Sequence, residues 1–316
     1  MKNRFNFTLL LIMLFMGQMF AQIQTNYDTL SVNKIKQIIS YTGNQNSPLI
    51  LFLHGGPGSS RMRQAESFTN KLKDHFLVVQ WDQRDAGKTL ALNKSDVPIT
   101  LELMESDTYE VIKLLQKKFN KKKIYLAGES WGTVLGFKMA QKHPEILNAY
   151  LTFSSVINQT ESEKILLDKL KAYFKEKGNI TAEKELNTVK IPFENSDQIY
   201  YSRKWMFDYD GQPLPDKDTL AIKEYLKTWS DTWMPTWNQA IQQNLFKELP
   251  KVKCPVYFFI GKKDLQTNFT IAEKYYARLK APKKNIFEFE DAGHSVLIEK
   301  SEEVQKIIIE QILNGD

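Results

Sequence analysis

The sequence is poor in the residues that build covalent cross-links and metal centres. Its 316 residues include one cysteine, Cys254, so no disulfide can form within the chain and an apolar core must stabilise the fold. The four histidines do not have the spacing of metal ligands: His54, His75, His143 and His294. We therefore expect no metal site and no cofactor.

The sequence also lacks a strong excess of charge and a long apolar run. Its formal net charge of +6 is modest for its length and does not predict nucleic-acid binding. Lys2 and Arg4 precede an apolar run, Phe7–Phe20, which is short for a membrane span of about 20 residues. Ala21 then resembles the small residue at a cleavage site. These features predict a signal peptide at 1–21, export, and no stable membrane insertion after cleavage, with an uncleaved anchor as the alternative.

Strand-like and helix-like segments alternate through most of the chain. Continuous apolar runs such as Leu49–Leu53 are typical of strands that are covered on both faces of a parallel sheet. The alternation stops between Val156 and Pro250, where the sequence is polar and aromatic with helical periodicity. We predict an α/β core formed by 22–155 and 251–316, with a mostly parallel sheet flanked by helices. A helical cap at 156–250 is inserted after the strand ending near Phe153.

The pentapeptide Gly128-Glu129-Ser130-Trp131-Gly132 lies between an apolar run and a helical pattern. A serine at the tip of such a strand-to-helix turn needs small residues two positions away on each side, because a Cβ there would collide with neighbouring backbone. This context predicts that Ser130 is a nucleophile. A serine hydroxyl is weakly nucleophilic by itself, so the chain must also supply a base, an acid and oxyanion donors.

Candidates for these roles follow other predicted strands. His294 comes after the last strand and is the predicted general base, and Asp264 follows the preceding strand. Glu290 and Asp291 are nearer to His294 in sequence. We prefer Asp264 because an acid on a separate strand end can approach the imidazole from behind, whereas Asp291 is expected to form part of the turn.

The oxyanion donors are expected to be backbone N–H groups. One is that of Trp131, the residue after the nucleophile, and the other is that of Gly56 in the loop His54-Gly55-Gly56-Pro57-Gly58. A tight turn without a ligand is the alternative for this loop. Its three glycines and its histidine favour close approach to a substrate.

Four ordered motifs together resemble the proline iminopeptidase branch of the α/β-hydrolase superfamily. They are the glycine-rich loop at 54–58, Asp82-Gln83-Arg84-Asp85-Ala86-Gly87, the pentapeptide around Ser130, and the terminal Gly293-His294. The resemblance implies an α/β-hydrolase fold and a Ser-His-Asp hydrolase that matches Ser130, His294 and Asp264. It also implies a helical cap in which carboxylates recognise the free amino group of an N-terminal residue.

Two positions depart from that family. Asp85 stands where the family usually has glycine, and aspartate tolerates left-handed geometry better than most residues. In the cap the family tends to have Trp-Glu, but here Met234 follows Trp233. We predict Glu194 and Trp233 as substrate-binding residues, with Asp208 and Asp231 as alternative carboxylates.

Three functions are consistent with these features. The first is an exported serine aminopeptidase that releases an N-terminal residue, possibly proline, from small peptides. The second is a carboxylesterase or lipase-like hydrolase of small esters that uses the same triad. The third is a noncatalytic binding protein built on a hydrolase scaffold.

Overall fold

A computed structural model describes residues 24–315, so the predicted signal peptide at 1–21 lies outside the described residues. Eight strands form one sheet in the order β1-β2-β4-β3-β5-β6-β7-β8. The pairs β1–β2 and β2–β4 are antiparallel, and all other pairs are parallel. The strand bounds are β1 Asn26–Val32, β2 Ile35–Thr42, β3 Leu49–Leu53, β4 Leu77–Asp82, β5 Ile124–Glu129, β6 Leu147–Phe153, β7 Val256–Gly261 and β8 Lys284–Phe289.

The apolar runs form strands that are buried on both faces. In β3, Leu49, Leu51 and Leu53 pack into one core, whereas Ile50 and Phe52 point into the core on the opposite face. Side chains alternate between the faces of a strand, so only a continuous apolar run can fill both cores.

Helices cover both faces of the sheet. The helices α3 Leu101–Lys118, α4 Trp131–Lys142 and α10 Phe269–Arg278 pack on one face, and α1 Ala65–Thr69, α11 Val296–Glu299 and α12 Ser301–Ile307 pack on the other. A π-helical turn, Ile308–Leu313, extends α12, and α2 Gly87–Leu92 contacts β2 and β4.

The remaining helices lie between β6 and β7. They are α5 Gln159–Glu176, α6 Ile180–Asn187, α7 Ser196–Tyr209, α8 Thr219–Ile241 and α9 Leu245–Glu248. Apolar side chains of α5, α6 and α7 form a separate core that includes Leu170, Leu186 and Trp205. Trp233 and Trp237 of α8 instead join the main core. The helix α8 therefore connects the small helical core to the sheet domain.

The predicted fold class is confirmed, and the differences lie at the edges of the prediction. Strand β1 was not predicted, because its side chains are mostly exposed and its sequence, Asn26–Val32, has no apolar run. The polar segment 61–73 has a helical sequence pattern, which predicts one helix. It forms two 3₁₀ turns around the short helix α1.

Candidate active site

Ser130 lies at a sharp turn between β5 and α4 and has φ of +49°, which a residue with a side chain rarely adopts. A Cβ on Gly128 would lie 2.7 Å from the carbonyl oxygen of Gly132, and a Cβ on Gly132 would lie 2.1 Å from that of Leu53. Both distances are far below van der Waals contact. The two glycines therefore permit the turn that lifts Ser130 above the sheet, by the steric reasoning that the sequence suggested.

Ser130, His294 and Asp264 form one chain of hydrogen bonds. The Ser130 Oγ atom is 3.0 Å from His294 Nε2, and His294 Nδ1 is 3.1 and 3.0 Å from the two carboxylate oxygens of Asp264. The carboxylate of Asp264 also accepts hydrogen bonds from the backbone N–H groups of Gln266 and Thr267, at 2.8 and 2.9 Å. It holds the tautomer that carries a hydrogen on Nδ1, so that Nε2 faces the serine as an acceptor.

Electrostatic interactions couple the acid and the histidine. Burial opposes the charged form of each group, but their mutual attraction and hydrogen bonds outweigh it. The pKa of His294 is therefore raised above its usual value, and the pKa of Asp264 is lowered. A lowered pKa keeps Asp264 ionised near neutral pH, and its negative charge favours the protonated form of His294.

Asp291, the alternative acid, lies on the surface and not against the imidazole of His294. Its side chain is 68% exposed and pairs with Lys300 at 2.6 Å. The hydrogen bond from Lys300 lowers the pKa of Asp291. Asp291 belongs to the turn before His294, and the structure directs Asp264 at the imidazole.

Gly56 and Trp131 are the predicted oxyanion donors, and both lie near Ser130 in the chain or in the cavity. Gly56 has φ of +114° and lines the same cavity as Ser130, and Trp131 is the first residue of α4. The first N–H groups of a helix have no partner within the helix and can bind an anion. Gly56 and Trp131 as oxyanion donors remain a prediction.

Gln83, in the loop after β4, connects the glycine-rich loop to the serine turn. Its backbone N–H donates to His54 Nε2 at 3.2 Å, and its side-chain amide donates to the His54 carbonyl oxygen at 3.0 Å. Its side-chain oxygen accepts from Trp131 Nε1 at 3.0 Å. In the same loop Asp85 has φ of +51°, so it adopts the left-handed geometry that the family gives to glycine.

A buried ion pair lies directly beside the nucleophile. Arg61 donates two hydrogen bonds, at 2.9 and 2.8 Å, to Glu129, which is 4% exposed. The sequence context predicts a structural role for Glu129, because a carboxylate near the start of a helix is favourable, but gives no indication of Arg61. No local motif marks Arg61, because it comes from a loop 68 positions earlier in the chain.

The cavity above Ser130 has a volume of about 220 Å³ and lies between the sheet domain and the inserted helices. Its lining includes several aromatic and amide side chains, and Arg203 is the only lysine or arginine among the described residues that line it. The lining residues are Gly56, Ser59, Ser130, Gln159, Phe193, Ile199, Arg203, Phe207, Tyr225, Leu226, Trp229, Trp237, Gln266, Thr267 and His294.

The structure does not bring the predicted substrate-binding residues to this cavity. Glu194 is on the surface and pairs with Lys190 at 3.1 Å. Trp233 is 3% exposed and packs edge-on against Trp131, behind the cavity. The alternatives Asp208 and Asp231 do not line it either. Sequence analysis missed Arg203 and Gln159, since side-chain positions in the inserted segment depend on how its helices pack.

The sheet order, the serine at a strand-to-helix turn and the histidine after the last strand define the class of protein: this is an α/β hydrolase. The chain belongs to the alpha/beta hydrolase fold family, whose model matches residues 48–301. None of the helices in 24–315 is long and apolar enough to cross a membrane.

Curated relatives carry peptidase names. A probable aminopeptidase of Bacillus subtilis is 27% identical over 289 residues, which cover 86% of this chain and 91% of the relative. A proline iminopeptidase of Neisseria meningitidis is 32% identical over 117 residues, covering 37% and 36% of the two chains. These relatives confirm the predicted resemblance to the proline iminopeptidase branch.

Solved structures confirm the fold. A proline iminopeptidase-related protein of Thermus thermophilus superimposes with a TM-score of 0.62 and 18% identity, and the match covers 91% of this chain and 98% of the other. Similarity at this level of identity concerns the fold alone, because one fold supports many different activities.

Proposed function

We propose that this protein is an exported serine hydrolase that releases an N-terminal residue from small peptides. The observation that supports it best is the hydrogen-bonded chain from Ser130 through His294 to Asp264. Ser130 attacks the carbonyl carbon, and His294 accepts the serine proton and returns it to the leaving amine. The N–H groups of Gly56 and Trp131 stabilise the oxyanion. Water then hydrolyses the acyl-enzyme with His294 again as the base.

The inserted helices act as a cap over the cleft in this proposal. Trp229 of α8 donates from Nε1 to the carbonyl oxygen of Pro57 at 2.9 Å and lines the cavity. This bond ties the cap to the glycine-rich loop. The cap therefore influences both the shape of the cavity and the position of the oxyanion donors.

The peptidase activity is supported by the names of the relatives and by one buried acceptor. Gln159 donates from Nε2 to Glu163 at 3.2 Å and to the Gln266 carbonyl oxygen at 2.7 Å. This fixes the amide orientation, and no described residue (24–315) provides a hydrogen-bond partner for its buried Oε1 atom. An unsatisfied buried acceptor costs about 1–3 kcal/mol, which a substrate N–H would offset.

A small-ester hydrolase is the second candidate. It is supported by the absence of any carboxylate among the described residues that line the cavity, because a cationic amine has no direct counter-ion there. Aromatic side chains such as Phe193 and Trp237 would instead contact an acyl or aryl group.

Turnover of proline β-naphthylamide beside a panel of p-nitrophenyl esters tests the two candidates. The aminopeptidase proposal predicts arylamide hydrolysis that Ser130→Ala abolishes. Ester hydrolysis without arylamide hydrolysis would contradict it and favour the second candidate. Export is tested separately by expressing the full chain and measuring the mass of the mature N-terminus, which should begin at Gln22.

A further inference from the structure

Arg203 and Glu163 form an ion pair at the wall of the cavity. Arg203 Nη1 is 2.9 Å from Glu163 Oε2, and Arg203 Nη2 is 2.5 Å from Oε1. The side chain of Glu163 is completely buried, whereas 18% of the Arg203 side chain is exposed. Arg203 is therefore the member of the pair that reaches the cavity.

The ion pair leaves part of the guanidinium unused. Of its five N–H groups, two bind Glu163 and a third, on Nη1, donates to Ser202 Oγ at 3.1 Å. Within residues 24–315 no protein acceptor takes the Nε–H or the second Nη2–H. These two groups point in parallel from one edge of the guanidinium, which is the geometry that binds both oxygens of a carboxylate.

The surroundings make this edge selective. The Arg203 guanidinium lies 5.7 Å from the centre of the Phe193 ring, and no carboxylate is among the described residues that line the cavity. Glu163 fixes the guanidinium from behind, so a ligand need not order the side chain. A cation placed directly against this edge would be repelled, so a substrate ammonium would have to lie elsewhere in the cavity, whereas a carboxylate at this edge would form two charge-assisted hydrogen bonds.

We propose that Arg203 is a specificity-determining residue that binds a carboxylate of the substrate through its Nε and Nη2 groups. This inference rests on the proposed serine hydrolase function and names its substrate class: small amides or esters that carry a carboxylate near the scissile bond. The carboxylate can belong to the acyl part, as in a half-ester of a dicarboxylic acid. It can also belong to the leaving group, as in a dipeptide.

Two substrate series distinguish these sources. Mono-p-nitrophenyl esters of malonate, succinate, glutarate and adipate are compared with the same esters whose free carboxylate is methylated. Dipeptides are compared with the corresponding dipeptide amides. We expect kcat/KM to be at least tenfold higher for the carboxylate form in one series. Equal or higher kcat/KM for the neutral forms in both series would overturn the proposal.

Variants test the role of the residue. Arg203→Lys keeps a positive charge beside Glu163 but loses the paired donors, so the ratio of kcat/KM for the carboxylate form to kcat/KM for the neutral form should fall about tenfold. Because Arg203→Met would leave Glu163 buried without a partner, it is combined with Glu163→Gln. An unchanged preference in folded Arg203→Lys and in the double variant would contradict the proposal.

Binding without turnover separates this inference from the proposed function. Ser130→Ala is titrated calorimetrically with glutarate and with its neutral diamide. Preferential binding of glutarate that is lost on Arg203→Lys supports the carboxylate site even if no substrate is hydrolysed. Hydrolysis of neutral esters without any carboxylate preference would instead support the hydrolase and refute the role of Arg203.

Discussion

The protonation state of His294 sets the pH range in which Ser130 can be activated. The imidazole must be neutral to accept the serine proton. Burial favours the neutral form, but the charge and hydrogen bond of Asp264 raise the pKa of His294 above its usual value of about 6.5. The positive charge of Arg203 acts in the opposite direction and is a weaker influence.

We therefore expect kcat/KM to rise with pH through a midpoint above about 6.5. Asp264→Asn removes the group that raises the pKa of His294, so the midpoint should move to lower pH while the maximal rate falls by about 10⁴-fold. A pH–rate profile of both proteins measures this. Asp291→Asn is the matched control, because Asp291 pairs with Lys300 on the surface, and it should leave midpoint and rate unchanged.

Single residues of the site differ in how well the sequence predicts them. The positions of Ser130, His294 and Asp264 follow from the rule that loops after parallel strands share one edge of the sheet. No such rule predicts the position of Arg203. Its place at the cavity depends on how α7 packs against α5, where Glu163 lies, and neither helix carries a motif that specifies this contact.

The turn between β5 and α4 depends on space that only glycine leaves. A Cβ at position 132 would lie 2.1 Å from the carbonyl oxygen of Leu53 in β3. The backbone would have to shift, because a carbonyl in a central strand cannot rotate away. The shift would move Ser130 relative to His294.

Gly132→Ala should lower kcat/KM by at least 100-fold, since misplacement by about 1 Å can have that effect. The control is Gly211→Ala. Position 211 has φ of +75°, so an alanine there should cost about 1–2 kcal/mol of stability. No atom of the described residues would lie within 4 Å of the added Cβ. The kcat/KM of this variant should stay within twofold of the wild type. Normal kinetics of Gly132→Ala would contradict the steric account.

Two of the three tryptophans of helix α8 occupy different environments. Trp229 lines the cavity and donates to the Pro57 carbonyl oxygen, whereas Trp233 packs behind Trp131. Trp229→Phe should raise KM several-fold, because it frees the glycine-rich loop from the cap. Trp233→Phe should leave KM within twofold. Steady-state kinetics of the two variants test this assignment. A larger increase in KM for Trp233→Phe than for Trp229→Phe would contradict it.

The sequence predicts a strand most clearly where both faces of that strand are buried. Strands β3, β4, β5 and β7 are buried along their whole length and have continuous apolar runs. Strand β1 pairs only with β2, at the edge of the sheet, and carries no such pattern.

A buried network of charged and polar side chains joins the hairpin formed by β1 and β2 to the rest of the molecule. Arg84 donates to both oxygens of Asp107 in α3, at 2.7 and 2.9 Å, and Gln37 of β2 donates to Asp107 at 2.8 Å. Arg84 is 1% exposed and Asp107 is completely buried. Removing one member leaves the other charge without its partner.

Arg84→Met should therefore lower the free energy of unfolding by about 3–5 kcal/mol, as found when one partner of a buried pair is removed. Lys118→Met is the surface control. The side chains of Lys118 and of its partner Asp28 are each about one-third exposed, so the free energy of unfolding should fall by less than about 1 kcal/mol. Denaturant unfolding of both variants provides the comparison, and equal losses would contradict the structural role of Arg84.

At the scale of the whole molecule, the sequence predicts the sheet domain better than the substrate. The succession of strands along the chain and the position of the inserted helices follow from periodicity and from the ordered motifs. The substrate depends on a cavity built from distant segments, the loop containing Gly56, the helices α5, α7 and α8, and the loops containing Thr267 and His294. Contacts between such segments are set by tertiary packing and have no local sequence pattern.

The proposed mechanism depends on activation of Ser130 as a nucleophile by His294. Covalent labelling by a fluorophosphonate, followed by peptide mass spectrometry, measures this reactivity. We expect one label on Ser130, lost in Ser130→Ala and strongly slowed in His294→Ala, with both variants folded by circular dichroism. Folded wild-type protein that is not labelled, or is labelled at another serine, would contradict it.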